Sequence, residues 1–106
     1  MQRGEVWWAK APEPWGLRPV LLLSRNEAYT ALSWVVAAPL TTSLRQLDTT
    51  VILTPELDGV DRESCVTLDH LLSVRIADLS DFVVRLSEER MRGVDAGIAA
   101  ALALPR

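Results

Sequence analysis

Apolar positions along most of this chain come in short runs of four to six residues, separated by turn-forming residues, a spacing that suits strands. Glu5-Val6-Trp7-Trp8-Ala9 is rich in strand formers and gives way to a Pro12, Pro14, Gly16 cluster, so a first strand is predicted to stop near Ala9. Trp7 and Trp8 then point to opposite faces. Pro19-Val20-Leu21-Leu22-Leu23 is a continuous apolar run closed by Ser24 and Asn26, and it reads as a second strand covered on both faces. The proline is expected to open that strand, holding Arg18 extended at its mouth. A third run, Trp34 to Ala38, closes at Pro39, and the hydroxyl cluster Thr41-Thr42-Ser43 follows.

A fourth strand is predicted over Thr50 to Thr54, and Asp58-Gly59 marks a turn. Ser64 to Asp69 alternates, placing Cys65, Thr67 and Asp69 on one face and Val66 and Leu68 on the other. After a break, His70 to Val74 continues, Ile76 to Asp81 makes one short helical turn, and Phe82 to Leu86 forms a last strand. Only then does the period change. Ser87 suits an N-cap, Glu88 and Glu89 suit the positive end of a helix dipole, and Met91, Val94, Ile98, Ala101 and Leu102 recur at helical spacing. The fold class that follows is mainly β: a small, strongly curved antiparallel barrel with one C-terminal α-helix packed on it.

Length narrows the possibilities. At 106 residues and 49% hydrophobic, the chain is expected to form one domain over residues 1–106 with a single core, burying roughly two thirds of its unfolded surface. Met1 to Glu5 lacks the apolar run of a secretory leader, and no window approaches the roughly 20 apolar residues of a membrane span, so a cytoplasmic protein that does not engage a membrane is expected. One cysteine, Cys65, excludes an internal disulfide, and one histidine, His70, leaves no zinc-type spacing. No cofactor is implied, and metal-dependent chemistry is disfavoured, although carboxylates can still hold magnesium.

The formal charge of −3 argues against a protein that coats phosphates indiscriminately. Its distribution is uneven. Residues 1–47 carry five cations (Arg3, Lys10, Arg18, Arg25, Arg45) against three acids, whereas residues 48–106 carry six cations against eleven acids. An anionic substrate is therefore expected on the first half. Arg18, a cation at the end of a buried strand, is the leading site candidate, and Trp15, between a proline and a glycine, can either present its indole to solvent or lie against the barrel.

Arg3-Gly4-Glu5-Val6-Trp7, Gly16-Leu17-Arg18-Pro19-Val20-Leu21-Leu22-Leu23-Ser24, Val36-Ala37-Ala38-Pro39-Leu40-Thr41, Asp58-Gly59-Val60 and Ser64-Cys65-Val66-Thr67-Leu68-Asp69 resemble the successive motifs of the MazF/PemK family of toxin endoribonucleases. The resemblance runs from Arg3 to the C-terminal helix. It implies an SH3-like barrel related to the gyrase poison CcdB, a homodimer, metal-independent cleavage of single-stranded RNA at short sequences, and neutralisation by a cognate antitoxin protein. Carried over by motif, the family's arginine ahead of Pro-Val falls on Arg18 and its catalytic threonine on Thr41, with Thr42 and Ser43 in the same motif. The acidic residue some members carry ahead of the arginine corresponds to Glu13. In PemK-type relatives an arginine stands two residues before the aspartate of the fifth strand; here that position is Thr67, so only Asp69 transfers.

Metal-free RNA cleavage uses the ribose 2′-hydroxyl against the adjacent phosphorus, so the protein must stabilise a phosphorane and move protons. Arg18 suits the first task, because a planar guanidinium that stays charged can bridge two phosphoryl oxygens. Thr41 can donate a further hydrogen bond. For the proton, Glu13, Asp69 and His70 all stand open as candidates. Trp15 can stack on an unpaired base, and Arg25 and Arg45 can meet phosphate. Two rivals on the same barrel are a non-catalytic, CcdB-like gyrase poison and an inactive antitoxin-binding relative. Gyrase-binding relatives end in Trp-Gly-Ile, whereas this chain ends Ala103-Leu104-Pro105-Arg106; Arg18 with Thr41 counts against the second rival.

Overall fold

The computed structural model describes residues 1–105. In chain order the elements are β1 (Glu5–Ala11), β2 (Gly16–Leu22), α1 (Ala28–Ala31), β3 (Trp34–Thr41), β4 (Thr50–Leu53), α2 (Pro55–Asp58), β5 (Ser64–Thr67), β6 (Leu72–Arg75), β7 (Leu79–Arg85) and α3 (Glu88–Leu102). The ladders are all antiparallel, with strand neighbours in the order β4-β5-β3-β2-β1-β7 and β6 added on β3. The end strands β4 and β7 share no ladder among the described residues, so the expected barrel is a strongly curved sheet that stays open along one seam.

Two prolines sit where the ladders break. Pro19 does not open β2: the strand starts three residues earlier, at Gly16, because β1 extends to Ala11 and pairs with it from Ala11↔Gly16 to Val6↔Leu21. The ladder to β3 begins only at Val20↔Pro39, so Pro19 occupies a position where no neighbour on that side takes an N–H. Pro39 marks a second interruption. β3 pairs with β6 as far as Ala37↔Leu72 and with β5 from Leu40↔Val66, and the proline sits at the hand-over between the two partners. A residue without an N–H costs no ladder bond at either gap.

The run Val20 to Leu23 is covered on both faces, as its continuous apolarity predicts. Leu21 and Leu23 join Val6, Leu53, Val66, Leu68 and Val94 in a core beneath α3, while Val20 and Leu22 join Ala9, Val35, Ala37 and Val74 in a second core on the other face. Trp7 and Trp8 diverge as expected: Trp7 packs against the second core, edge-on to Phe82, and Trp8 borders a cleft on the other face.

Local differences have local causes. β5 ends at Thr67, and Leu68–His70 forms a 3-10 turn, so Asp69 stands just beyond the strand predicted to hold it. The turn tucks Leu68 fully inside, under α3. A second 3-10 turn at Ile76–Asp78 is tighter than the predicted helical turn, and β7 begins at Leu79, ahead of the expected Phe82. The four-residue helices α1 and α2 are too short to leave a periodic signal. α2 is defined by its caps instead: Thr54 Oγ1 accepts from Leu57 N at 3.3 Å, Pro55 fills the first turn, and Gly59 closes it at φ +74°.

Helix α3 starts where predicted, with Ser87 Oγ accepting from Arg90 N at 3.1 Å. Its two glycines differ in kind. A Cβ at Gly93 would meet open space, whereas one at Gly97 would run into Leu68 Cδ1, so Gly97 is what lets the helix settle onto the 3-10 turn. Gly93→Ala is therefore expected to stabilise the fold by about 0.5–1 kcal/mol through helix propensity, and Gly97→Val to destabilise it by about 1–3 kcal/mol through overpacking. Urea midpoints of the two variants moving in the same direction would contradict this packing.

Tyr29 anchors α1 on the second core, its hydroxyl donating to the Ser24 carbonyl at 3.0 Å. Burial pushes its phenol up to about 12. Because the folded value lies above the unfolded one of about 10, the neutral phenol's contribution is complete below pH 10 and is lost as pH rises toward 12. The wild type is expected to lose stability across that window, with a shallower dependence in Tyr29→Phe; identical profiles of urea midpoint against pH would count against the assignment.

Candidate active site

Arg18, the third residue of β2, reaches across to the end of β3. Its Nε donates to the Trp15 carbonyl at 2.7 Å and its Nη1 donates to the Leu40 carbonyl at 3.1 Å, while its guanidinium carbon lies 5.0 Å from the Trp15 ring centroid. Continuing the β2–β3 register by one step sets Leu40 opposite Pro19, which has no N–H, so the guanidinium supplies the donor the imino acid lacks. Two of the fork's five N–H donors are committed in this way and three are left for a ligand.

Thr41 follows Leu40 directly and ends β3, opposite Cys65. Its Oγ1 accepts from Ser43 N at 3.1 Å, leaving the hydroxyl hydrogen uncommitted among the described residues. From the other side, Thr67 Oγ1 donates to the Pro39 carbonyl at 2.9 Å. Arg18 and Thr67 thus take the two carbonyls immediately before Thr41, at the gaps the prolines leave in the ladders. The strand end that presents the threonine is held by side chains on both flanks.

Thr41 borders a cleft of about 260 Å³ whose walls include Trp15, Ser43, Arg45, Asp69 and His70, with Cys65 and Thr67 between them. The His70 ring lies 5.3 Å from the Trp15 ring, tilted by 55°. Asp69 Oδ2 accepts from Thr49 Oγ1 at 2.5 Å. Thr50 ties down the loop that carries Arg45, its Oγ1 donating to the Arg45 carbonyl at 2.7 Å and accepting from Leu47 N at 2.9 Å. A second, more apolar cleft of about 300 Å³ shares Thr41 and is walled by Trp8, Pro19, Leu40, Thr42 and Val60.

Most of the residues singled out in the sequence therefore meet at one end of the barrel. Thr41, Ser43, Asp69, His70, Trp15 and Arg45 line the first cleft, Thr42 lines the second, and Arg18 lines neither but is bonded to Trp15 on the first cleft's wall and to Leu40 beside Thr41. Glu13, in the exposed loop after β1, borders neither, and Arg25 lies beyond the opposite end of β2 from Arg18. Thr49 and Thr50 are parts of the site that sequence reasoning passed over. Nothing but their position in a hydroxyl-rich loop signals them, because the partners of their hydroxyls are twenty residues away or on the backbone. Among the described residues no three His, Cys, Asp or Glu side chains converge as metal ligands, and no helix is long and apolar enough to cross a membrane.

Residues 2–102 match the family model described as a PemK-like, MazF-like toxin of type II toxin-antitoxin systems. The chain belongs to that family. Over 100 residues it is 41% identical to the probable endoribonuclease MazF5 of Mycobacterium tuberculosis, covering 94% of this chain and 91% of the relative. Among solved structures, it superimposes with a TM-score of 0.85 on a mycobacterial endoribonuclease in complex with its cognate antitoxin, at 26% identity and covering 100% of this chain and 98% of that one. The toxin MazF-mt6 of M. tuberculosis gives a TM-score of 0.86 at 26% identity, over 96% of this chain and 99% of that one. Membership in the MazF-like toxins accounts for the open, curved sheet with its C-terminal helix.

Proposed function

We infer that this MazF-like toxin is an endoribonuclease that cuts single-stranded RNA without a metal ion, by attack of a ribose 2′-hydroxyl on the adjacent phosphorus. The products are a 2′,3′-cyclic phosphate and a 5′-hydroxyl end. The observation that carries the reading is the Arg18 Nη1 bond to the Leu40 carbonyl, which holds a guanidinium one residue from Thr41, whose hydroxyl hydrogen is uncommitted and which borders the first cleft. With three donors uncommitted, Arg18 binds two non-bridging phosphoryl oxygens and neutralises the charge that grows on them in the phosphorane. The Thr41 hydroxyl donates a further bond to the same group.

Of the three proton-carrying candidates, His70 is the one this reading assigns. Glu13 stands in the exposed loop after β1 with no bond that ties it to Arg18 or Thr41, and one oxygen of Asp69 is held by the Thr49 hydroxyl, whereas no hydrogen bond among the described residues occupies the His70 ring nitrogens. The His70 imidazole stands on the cleft wall against Trp15, where it can receive the proton of the attacking hydroxyl or return one to the leaving 5′-oxygen. Partners follow from the family: an RNA substrate, a cognate antitoxin of the kind seated on the mycobacterial relative, and a second copy of the chain, in the cytoplasm.

The test is incubation of the purified protein with a long single-stranded RNA in excess chelator, with mapping of the new ends. Site-specific cuts that survive the chelator, with 5′-hydroxyl termini, are expected. Cutting that stops in chelator and returns with magnesium would overturn the metal-free mechanism, and absence of cutting would favour a binding module on the same barrel.

A further inference from the structure

Asp69 brings a carboxylate to the cleft wall and holds it there with one oxygen unengaged. Oδ2 accepts the Thr49 hydroxyl at 2.5 Å, which sets the rotamer, and among the described residues Oδ1 has no partner. The same cleft has an aromatic wall, Trp15 with His70 tilted against it, and a cationic one, Arg45. Its volume of about 260 Å³ lies below the roughly 300–1,000 Å³ of pockets that bury a drug-sized ligand, and suits one splayed-out base.

The geometry points to a guanine subsite beside the scissile bond, with Asp69 as the residue that reads the base. A carboxylate only accepts hydrogen bonds, so it selects the edge with the most adjacent donors. Guanine is the base whose Watson–Crick edge places two, N1–H and the N2 amino group, side by side, and its O6 and N7 acceptors suit an arginine such as Arg45. Adenine and cytosine present one amino donor next to a ring nitrogen whose lone pair would face the carboxylate. Uracil presents one N–H between two carbonyls, which repel it. The aromatic wall adds stacking, which any base can use and which therefore supplies grip without choice.

This subsite rests on the RNA-cutting reading above, and the experiment separates the two. Cuts made by the wild type on a long transcript are mapped, and kcat/KM is then measured on a short RNA bearing the preferred site, with guanine or with inosine, which lacks the 2-amino group, at the subsite position. A guanine shared at one fixed position beside the cuts is expected, and inosine there should lower kcat/KM about 5- to 100-fold in the wild type. In Asp69→Asn, whose side-chain oxygen can still accept the Thr49 hydroxyl, the guanine-to-inosine ratio should fall to near one whatever the overall rate. A 2′-deoxy oligonucleotide that cannot be cut should show the same two ratios in equilibrium binding. Cuts without a shared guanine, or an inosine penalty undiminished in Asp69→Asn, would overturn the subsite alone. A wild type that cuts no RNA would overturn the nuclease reading and the subsite with it.

Discussion

Arg18→Ala is expected to lower RNA cleavage about 10²–10³-fold, the usual cost of removing one preorganised donor from a developing oxyanion. The loss should fall mainly on kcat, because the guanidinium's free donors meet charge that is larger in the phosphorane than in the ground-state phosphodiester. The variant also gives up two hydrogen bonds to backbone carbonyls, at Trp15 and Leu40, and the Leu40 carbonyl is left facing a proline. A stability loss of about 1–2 kcal/mol is therefore expected beside the catalytic one. Arg18→Lys should regain charge but not the fork: a single ammonium cannot donate to both carbonyls and a phosphate in the same plane, so cleavage should remain at least tenfold below the wild type. Circular dichroism and urea melts separate the two effects, and a folded Arg18→Ala that cuts at the wild-type rate would remove Arg18 from the chemistry.

Asp58→Ala is expected to cost about 2–4 kcal/mol of stability with little change in the cleavage site. Asp58 has a side chain only 3% exposed, and it joins α2 to α3: Oδ1 accepts from Arg90 Nε at 2.8 Å, while Oδ2 accepts from Arg90 Nη2 at 3.1 Å and from Thr54 N at 2.9 Å. Those hydrogen bonds raise the Arg90 guanidinium above its ordinary range. Truncating the carboxylate leaves the Thr54 amide and a half-buried cation without their partner, and unmade bonds at buried groups are costlier than made ones are stabilising. Arg90 is partly exposed, so water screens the pair and the coupling in a double-mutant cycle with Arg90→Ala should be about 1–3 kcal/mol. Urea midpoints of the four proteins measure it; additive losses would mean that the two side chains act separately. Asp58-Gly59 is legible in the sequence as a turn, but the far partner of its carboxylate is not, since Arg90 lies 32 residues away on an element whose docking angle the pattern does not specify.

The chain's own pattern was enough for the class of fold and for a set of candidate site residues, most of which the fold brings to one end of the barrel. Short apolar runs bounded by proline, glycine and hydroxyl residues are strands because period and length leave little else, and Ser87 with two glutamates behind it starts a helix wherever it packs. Arg18, Thr41 and Asp69 are visible as candidates because ordered motifs carry them, and Trp15, Arg45 and His70 because of their chemistry and their place in or beside loops. Tertiary structure decided where each one stands and what it touches. Whether a proline opens a strand or sits inside it depends on where the neighbouring ladder begins, and Pro19 and Pro39 fit the two gaps that β3 leaves as it changes partners. Those gaps free the Leu40 and Pro39 carbonyls, which Arg18 and Thr67 then take, and that exchange is what brings the guanidinium to Thr41. It also left Glu13 and Arg25 apart from the cleft, though both are cognate in charge to the roles considered for them. Local propensity is a property of a few neighbouring residues, whereas which side chain meets which orphaned carbonyl is settled by register between strands far apart in the chain, and no short-range pattern encodes register.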